Sequence, residues 1–125
     1  MVMQLKQLFL YLLSGFFFIA GINHFVHPDF YLPLIPEYLG YPEFINYSSG
    51  VAEVLLGIGV LYAGTRRISA YLIIALLIAF IPSHVYFIKI GSCIPDSLCV
   101  PSWVAWIRLI IIHPLFMLWA WCVRG

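Results

Sequence analysis

The sequence predicts an all-α membrane protein: one domain over residues 1–125, built as a four-helix transmembrane bundle with a Pro- and aromatic-rich interfacial loop between its first two helices. Three observations carry that prediction. Hydrophobic residues make up 64% of the 125 and charged residues 9%, against roughly 45–50% and 25% in soluble domains. Four apolar stretches approach the roughly 20 residues that cross a bilayer. All but two of the few charges, Glu53 and Arg108, lie at or beyond the ends of those stretches. So apolar a chain would leave a soluble core of this volume almost no polar shell, and it lacks the polar bias of disordered chains. A net charge of +1 with six Lys and Arg excludes nucleic acid as a partner and a polybasic membrane anchor.

The first predicted helix runs from about Leu5 to Ile22. A signal peptide is the alternative there, since Lys6 precedes the apolar run. The run exceeds the usual core of about 7–15 residues and no A-x-A site follows, so a retained helix is expected. The second predicted helix spans about Ile45 to Ala63, the third Ile68 to Ile88 and the fourth Trp103 to Val123. Basic residues then set the orientation. Lys6, Arg66, Arg67 and Arg124 fall on one side, while Asp29, Glu37, Glu43 and Asp96 fall on the other, with Lys89 at its edge. Both termini are therefore expected in the cytoplasm. The segment after the first helix holds Pro28, Pro33 and Pro36 among Phe30, Tyr31, Tyr38 and Tyr41. Proline blocks regular pairing and aromatic rings favour the interface, so a compact segment on the outer membrane surface is expected. No internal repeat supports a repeat-built transporter.

Ionisable groups inside spans are costly, by about 2.5–3.5 kcal/mol on insertion scales. Four polar groups sit in or beside the spans: His24 at the outer end of the first, Glu53 in the second, His84 in the third and Arg108 in the fourth. At about 1.5 Å per residue, Glu53 lies roughly 12 Å deep, Arg108 roughly 8 Å and His84 roughly 7 Å. All belong to the outer half. Gly50, Glu53, Gly57 and Gly64 share one helical face, and small residues allow close helix approach. That face should carry Glu53 into the bundle, leaving Val54, Leu55, Ile58 and Leu61 for lipid. Three readings stay open: a structural Glu53–Arg108 ion pair that sets register, a ligand or redox-coupled site, and an unpaired protonated Glu53. Pro82 and Pro114 each free a helix carbonyl, at Ile78 and Ile110.

His24-x-x-His27-Pro28-Asp29 has a spacing that a metal could use. It crosses a helix end and a Pro turn, so turn chemistry is the preferred reading and no metal is expected. Cys93 and Cys99 bracket a short outer loop, and a disulfide between them suits that compartment. The C-x₅-C spacing is not that of a thiol–disulfide relay. Cys122 is read as an apolar filler. No nucleophile elbow, phosphate loop or haem attachment motif is present, so no catalytic residue is assigned and independent enzyme activity is not expected.

The string Gly21-x-x-His24-Phe25-x-x-Pro28-x-Phe30-Tyr31, followed by Pro33 and Pro36, resembles the first motif of DoxX-like membrane proteins. So do Ser49-Gly50-x-x-Glu53-x-x-x-Gly57, Arg66-Arg67-x-x-Ala70, Pro82-x-x-x-Tyr86 and Trp106-x-Arg108-Leu109. Gly40, Ser83-His84, Ile110 and Ile112 depart from that pattern. The resemblance implies a four-helix bundle in a bacterial-type inner membrane, acting as an accessory subunit of a redox system with quinone as its cofactor class. The candidate ligand-binding set is His24, Glu53, His84, Arg108 and Tyr31, under a lid of Phe30, Tyr31 and Tyr38. A non-catalytic carrier of a small apolar molecule and a membrane scaffold are the alternatives. Expected partners are the bilayer, redox-complex subunits or that small ligand, with homo-oligomers left open.

Overall fold

The computed structural model describes residues 2–125, and these are helical throughout apart from short connections. The order is α1 (Val2–Val26), α2 (Pro28–Tyr31), two 3₁₀ turns (Leu32–Leu34 and Glu37–Leu39), α3 (Pro42–Gly59), α4 (Ala63–Ala79), α5 (Ile81–Lys89), α6 (Ser102–Ile107), a π turn (Arg108–Ile112) and α7 (His113–Val123). Among the described residues there is no strand; one isolated bridge pairs Cys93 with Cys99.

Five helices of nine residues or more replace the four expected. The expected third helix divides at Phe80, because Pro82 supplies no N–H to the turn before it. The fourth divides for the same reason: Pro114 follows the π turn, and His113 N–H reaches back five residues to the Arg108 carbonyl. Three segments are long and apolar enough to cross a membrane, Met3–Val26, Ala63–Lys89 and Ser102–Val123. The fourth expected span, α3, does not join them. Its 18 residues include Asn46, Ser48, Ser49 and Glu53, which dilute its hydropathy, and at about 1.5 Å per residue it is roughly 27 Å long.

Helix α3 is held by its neighbour α1. A Cβ at Gly21 would lie 2.6 Å from the Gly50 carbonyl oxygen, one at Gly50 2.8 Å from His24 Cβ, and one at Gly57 2.9 Å from the Ser14 carbonyl oxygen. Only glycine permits this approach, and van der Waals contact at such distances drives helix association where lipid removes the hydrophobic difference. Ser14 Oγ donates to the Gly57 carbonyl at 2.6 Å. Gly64 does not extend this stripe: it belongs to α4 and faces open space. Leu55, Ile58 and Leu61 are exposed, whereas Val54 is half-buried against Gly21.

The long rods alternate in direction. Gly21 meets Gly50 while Ser14 meets Gly57, and Trp119 Nε1 near the end of α7 donates to the Phe9 carbonyl near the start of α1. Lys6, Arg66, Arg67 and Arg124 thereby gather at one end. There Arg66 Nε donates to the Val60 carbonyl at 2.8 Å and Thr65 Oγ1 to the Gly59 carbonyl at 2.6 Å, satisfying carbonyls that the end of α3 leaves free. A core of Leu10, Leu13, Phe17, Val60, Ile73 and Leu77 fills this end with Ala120 and Val123. The opposite end closes on Phe87, Ile94 and Ala105. Between the two lies a cavity.

Candidate functional site

The cavity has a volume of about 330 Å³. Each rod contributes to its wall: Ala20 and His24 from α1, Asn46, Ser49 and Glu53 from α3, Ser83 and His84 from α5, and Arg108 with His113 from the last. Phe30 and Tyr31 of α2 cover it. His24, Tyr31, Glu53, His84 and Arg108 therefore all line one cavity, although they come from five separate elements.

Within it they form two groups. On one side His24 Nε2 lies 3.3 Å from Glu53 Oε2, and both side chains are buried. The approach is close enough for Coulomb attraction but poorly aligned, so Oε2 carries no hydrogen bond. His24 Nδ1 is 2.6 Å from Asn46 Oδ1, and Asn46 Nδ2 donates to the His24 carbonyl at 3.0 Å. The second bond orients the amide, so Oδ1 is the acceptor and His24 Nδ1 carries a hydrogen. Tyr31 stacks on the His24 ring with centroids 3.8 Å apart, and its hydroxyl accepts from Asn23 Nδ2 at 2.7 Å. The histidine is thus covered on one ring face and engaged at both ring nitrogens.

On the other side His84 and His113 meet edge to face with centroids 4.6 Å apart. His113 Nε2 donates to the Leu77 carbonyl, just before the helix break at Phe80. The Arg108 guanidinium lies over Phe87, 5.9 Å from the ring centroid, at the outer limit of a cation–π contact. Among the described residues, neither His84 nor Arg108 makes a side-chain hydrogen bond to the protein. The π turn brings Arg108, Ile112 and His113 to the same wall. In a regular α-helix, residues five apart point about 140° away from each other.

The Glu53–Arg108 ion pair does not form. Among the described residues the single acidic partner contact within 4.0 Å is His24–Glu53. The glycine stripe turns α3 against α1, so Glu53 meets the histidine of that helix. Asn46, 1% exposed, and His113 were not in the expected set. Asn46 lies four residues before Gly50 and seven before Glu53, on the same face. Extending the glycine stripe backwards would have found it. His113 has no such signal, because its position depends on the π turn.

Cys93 and Cys99 are joined as a disulfide with Cα atoms 3.9 Å apart, and Cys122 is a free thiol. Ile94 and Leu98 of that loop pack with Leu34 beside the cavity mouth. His27 precedes Pro28 at the start of α2 without a side-chain cap bond. Among the described residues no cluster of three or more His, Cys, Asp or Glu could hold a metal.

No curated protein matches the chain. No solved structure matches it either. The resemblance to DoxX-like proteins is overturned by a different family, described as Domain of unknown function (DUF8561), whose profile matches residues 13–124. Without that resemblance, the redox-complex subunits it implied have no support. The matched segment contains every residue of the cavity wall, and the chain belongs to the family Domain of unknown function (DUF8561).

Proposed function

We propose that this is a multi-pass membrane protein whose cavity binds a small, largely apolar molecule with a hydrogen-bonding head. The observation that carries this reading is an aromatic-walled cavity into which Arg108 and His84 present donors that no protein group accepts from. Phe16, Phe80 and Phe116 offer the body of a ligand apolar surface. Such a combination, apolar walls with a few convergent polar groups, is the usual form of a small-molecule site. All four rods cross the bilayer in this reading, with the polar face of α3 turned inward and its Val51, Leu55 and Ile58 side exposed to lipid. The basic end formed by Lys6, Arg66, Arg67 and Arg124 faces the cytoplasm of a bacterial-type inner membrane, and the cavity lies toward the outer leaflet. The protein binds or carries its ligand and performs no chemistry alone.

The test is extraction of the purified protein followed by mass spectrometry of bound small molecules. Wild type should retain a compound in near-stoichiometric amount. Ala20→Phe, which fills the cavity from α1, should lose it while keeping the same elution profile. Identical extracts from the two proteins would overturn the reading. Quinone is the second reading of the ligand, favoured by one observation: the His24–Glu53 pair offers a proton across the cavity from the Arg108 donor. A spectral titration with decylubiquinone tests it.

A further inference from the structure

We infer that the ligand is a monoanionic amphiphile, an apolar body bearing one carboxylate, and that Arg108 anchors this head. The inference rests on the ligand-pocket reading above and adds the charge and class of the ligand.

Charge balance in the wall carries it. Glu53 is the single carboxylate lining the cavity, and His24 occupies it. Because His24 Nδ1–H already donates to Asn46 Oδ1, only Nε2 faces the carboxylate. A bare Nε2 lone pair 3.3 Å from a carboxylate oxygen is repelled by it, so the pair holds one proton, on the imidazole or on the carboxyl. On either atom, that proton leaves the pair with no net charge. Asn46, Ser49 and Ser83 add no charge, His113 is engaged with the Leu77 carbonyl, and neither His84 nor His113 can supply a negative charge. Arg108 remains. Among the described residues its guanidinium has no carboxylate within 4.0 Å, and it lies over the Phe87 ring, so the cavity carries a positive charge that the chain does not compensate. A guanidinium cannot relieve this by losing its proton.

A neutral head would accept hydrogen bonds from Arg108 but leave the charge unbalanced. A carboxylate does both, and its two oxygens match the planar guanidinium fork. A phosphate monoester brings up to about two negative charges, for which the wall offers one arginine. The volume of about 330 Å³ lies at the lower end of the ~300–1,000 Å³ usual for ligand sites. That size suits an aromatic or medium-chain acid and excludes a two-chain lipid from full enclosure. The π turn explains how the anchor is placed: it turns Arg108 to the wall shared with His113.

Calorimetric titration of the purified protein in detergent, with partitioning into empty micelles subtracted, tests this directly. The probes are decanoate, methyl decanoate, decyl phosphate and decylubiquinone. Decanoate should bind about tenfold or more tighter than its methyl ester, as a charge-assisted bidentate contact requires. Arg108→Gln should abolish that preference by weakening decanoate alone. Arg108→Lys should keep part of it, having the charge without the fork. Equal or tighter binding of methyl decanoate, decyl phosphate or decylubiquinone overturns the inference while the pocket reading stands. No binding by any probe overturns both. Should Arg108→Gln fail to fold, the acid–ester comparison on wild type decides.

Discussion

Substituting Glu53 by Gln removes the charge that His24 Nε2 meets at 3.3 Å. In the charge-separated form of that pair, attraction at this distance is about 5 kcal/mol for an effective dielectric near 20. Desolvation of both groups cancels most of it. A double-mutant cycle of Glu53→Gln with His24→Gln should therefore return a coupling of about 1–3 kcal/mol. The parallel cycle of Glu53→Gln with Arg108→Gln should return less than about 0.5 kcal/mol, because those two residues form no ion pair. Both cycles can be read from unfolding in mixed micelles, followed by the fluorescence of the four tryptophans. Coupling to Arg108 that equals or exceeds coupling to His24 would refute the assignment of partners, and with it the uncompensated charge on Arg108.

Two further outcomes test the packing and the outer loop. Gly50→Ala would set a Cβ 2.8 Å from His24 Cβ and 2.9 Å from the Gly21 carbonyl oxygen; forcing α1 and α3 apart should cost about 1–3 kcal/mol. Gly15→Ala on α1 meets nothing within 4 Å and should leave stability unchanged or raise it by up to about 1 kcal/mol. Equal losses from the two variants in the same unfolding assay would contradict the close helix approach. Alkylation of the unreduced, denatured protein should add one group, at Cys122, because Cys93 and Cys99 are joined. Three adducts by intact mass would show both loop thiols free.

Helix positions were legible because hydropathy and proline act locally. The stretches ending near Ile22, Ile88 and Val123 became α1, α4 with α5, and the rod through α7. The stripe of Gly50, Glu53 and Gly57 was legible as a packed face because its period matches one side of a helix. Its partner was not. Which helix meets a small-residue face depends on how all the rods assemble, and α1 met it through Gly21 and Ser14. Charge complementarity alone pointed from Glu53 to Arg108, since opposite charges inside apolar spans are the obvious pair. That inference weighed charge against charge and overlooked a neutral-capable partner, His24, carried on the neighbouring helix.

Composition and spacing by themselves determined that the chain is helical and where three stretches long and apolar enough for a bilayer lie, and they marked Pro82 and Pro114 as points where a helix carbonyl is freed. Each of these depends on residues within a turn or two of one another. Tertiary structure alone decided that Glu53 pairs with His24 and that Asn46 fixes the ring. It also decided that the π turn carries Arg108 and His113 to one wall. Those outcomes depend on the distance between backbones and on rotation about a helix axis, quantities that a linear pattern with a regular period of 3.6 does not contain.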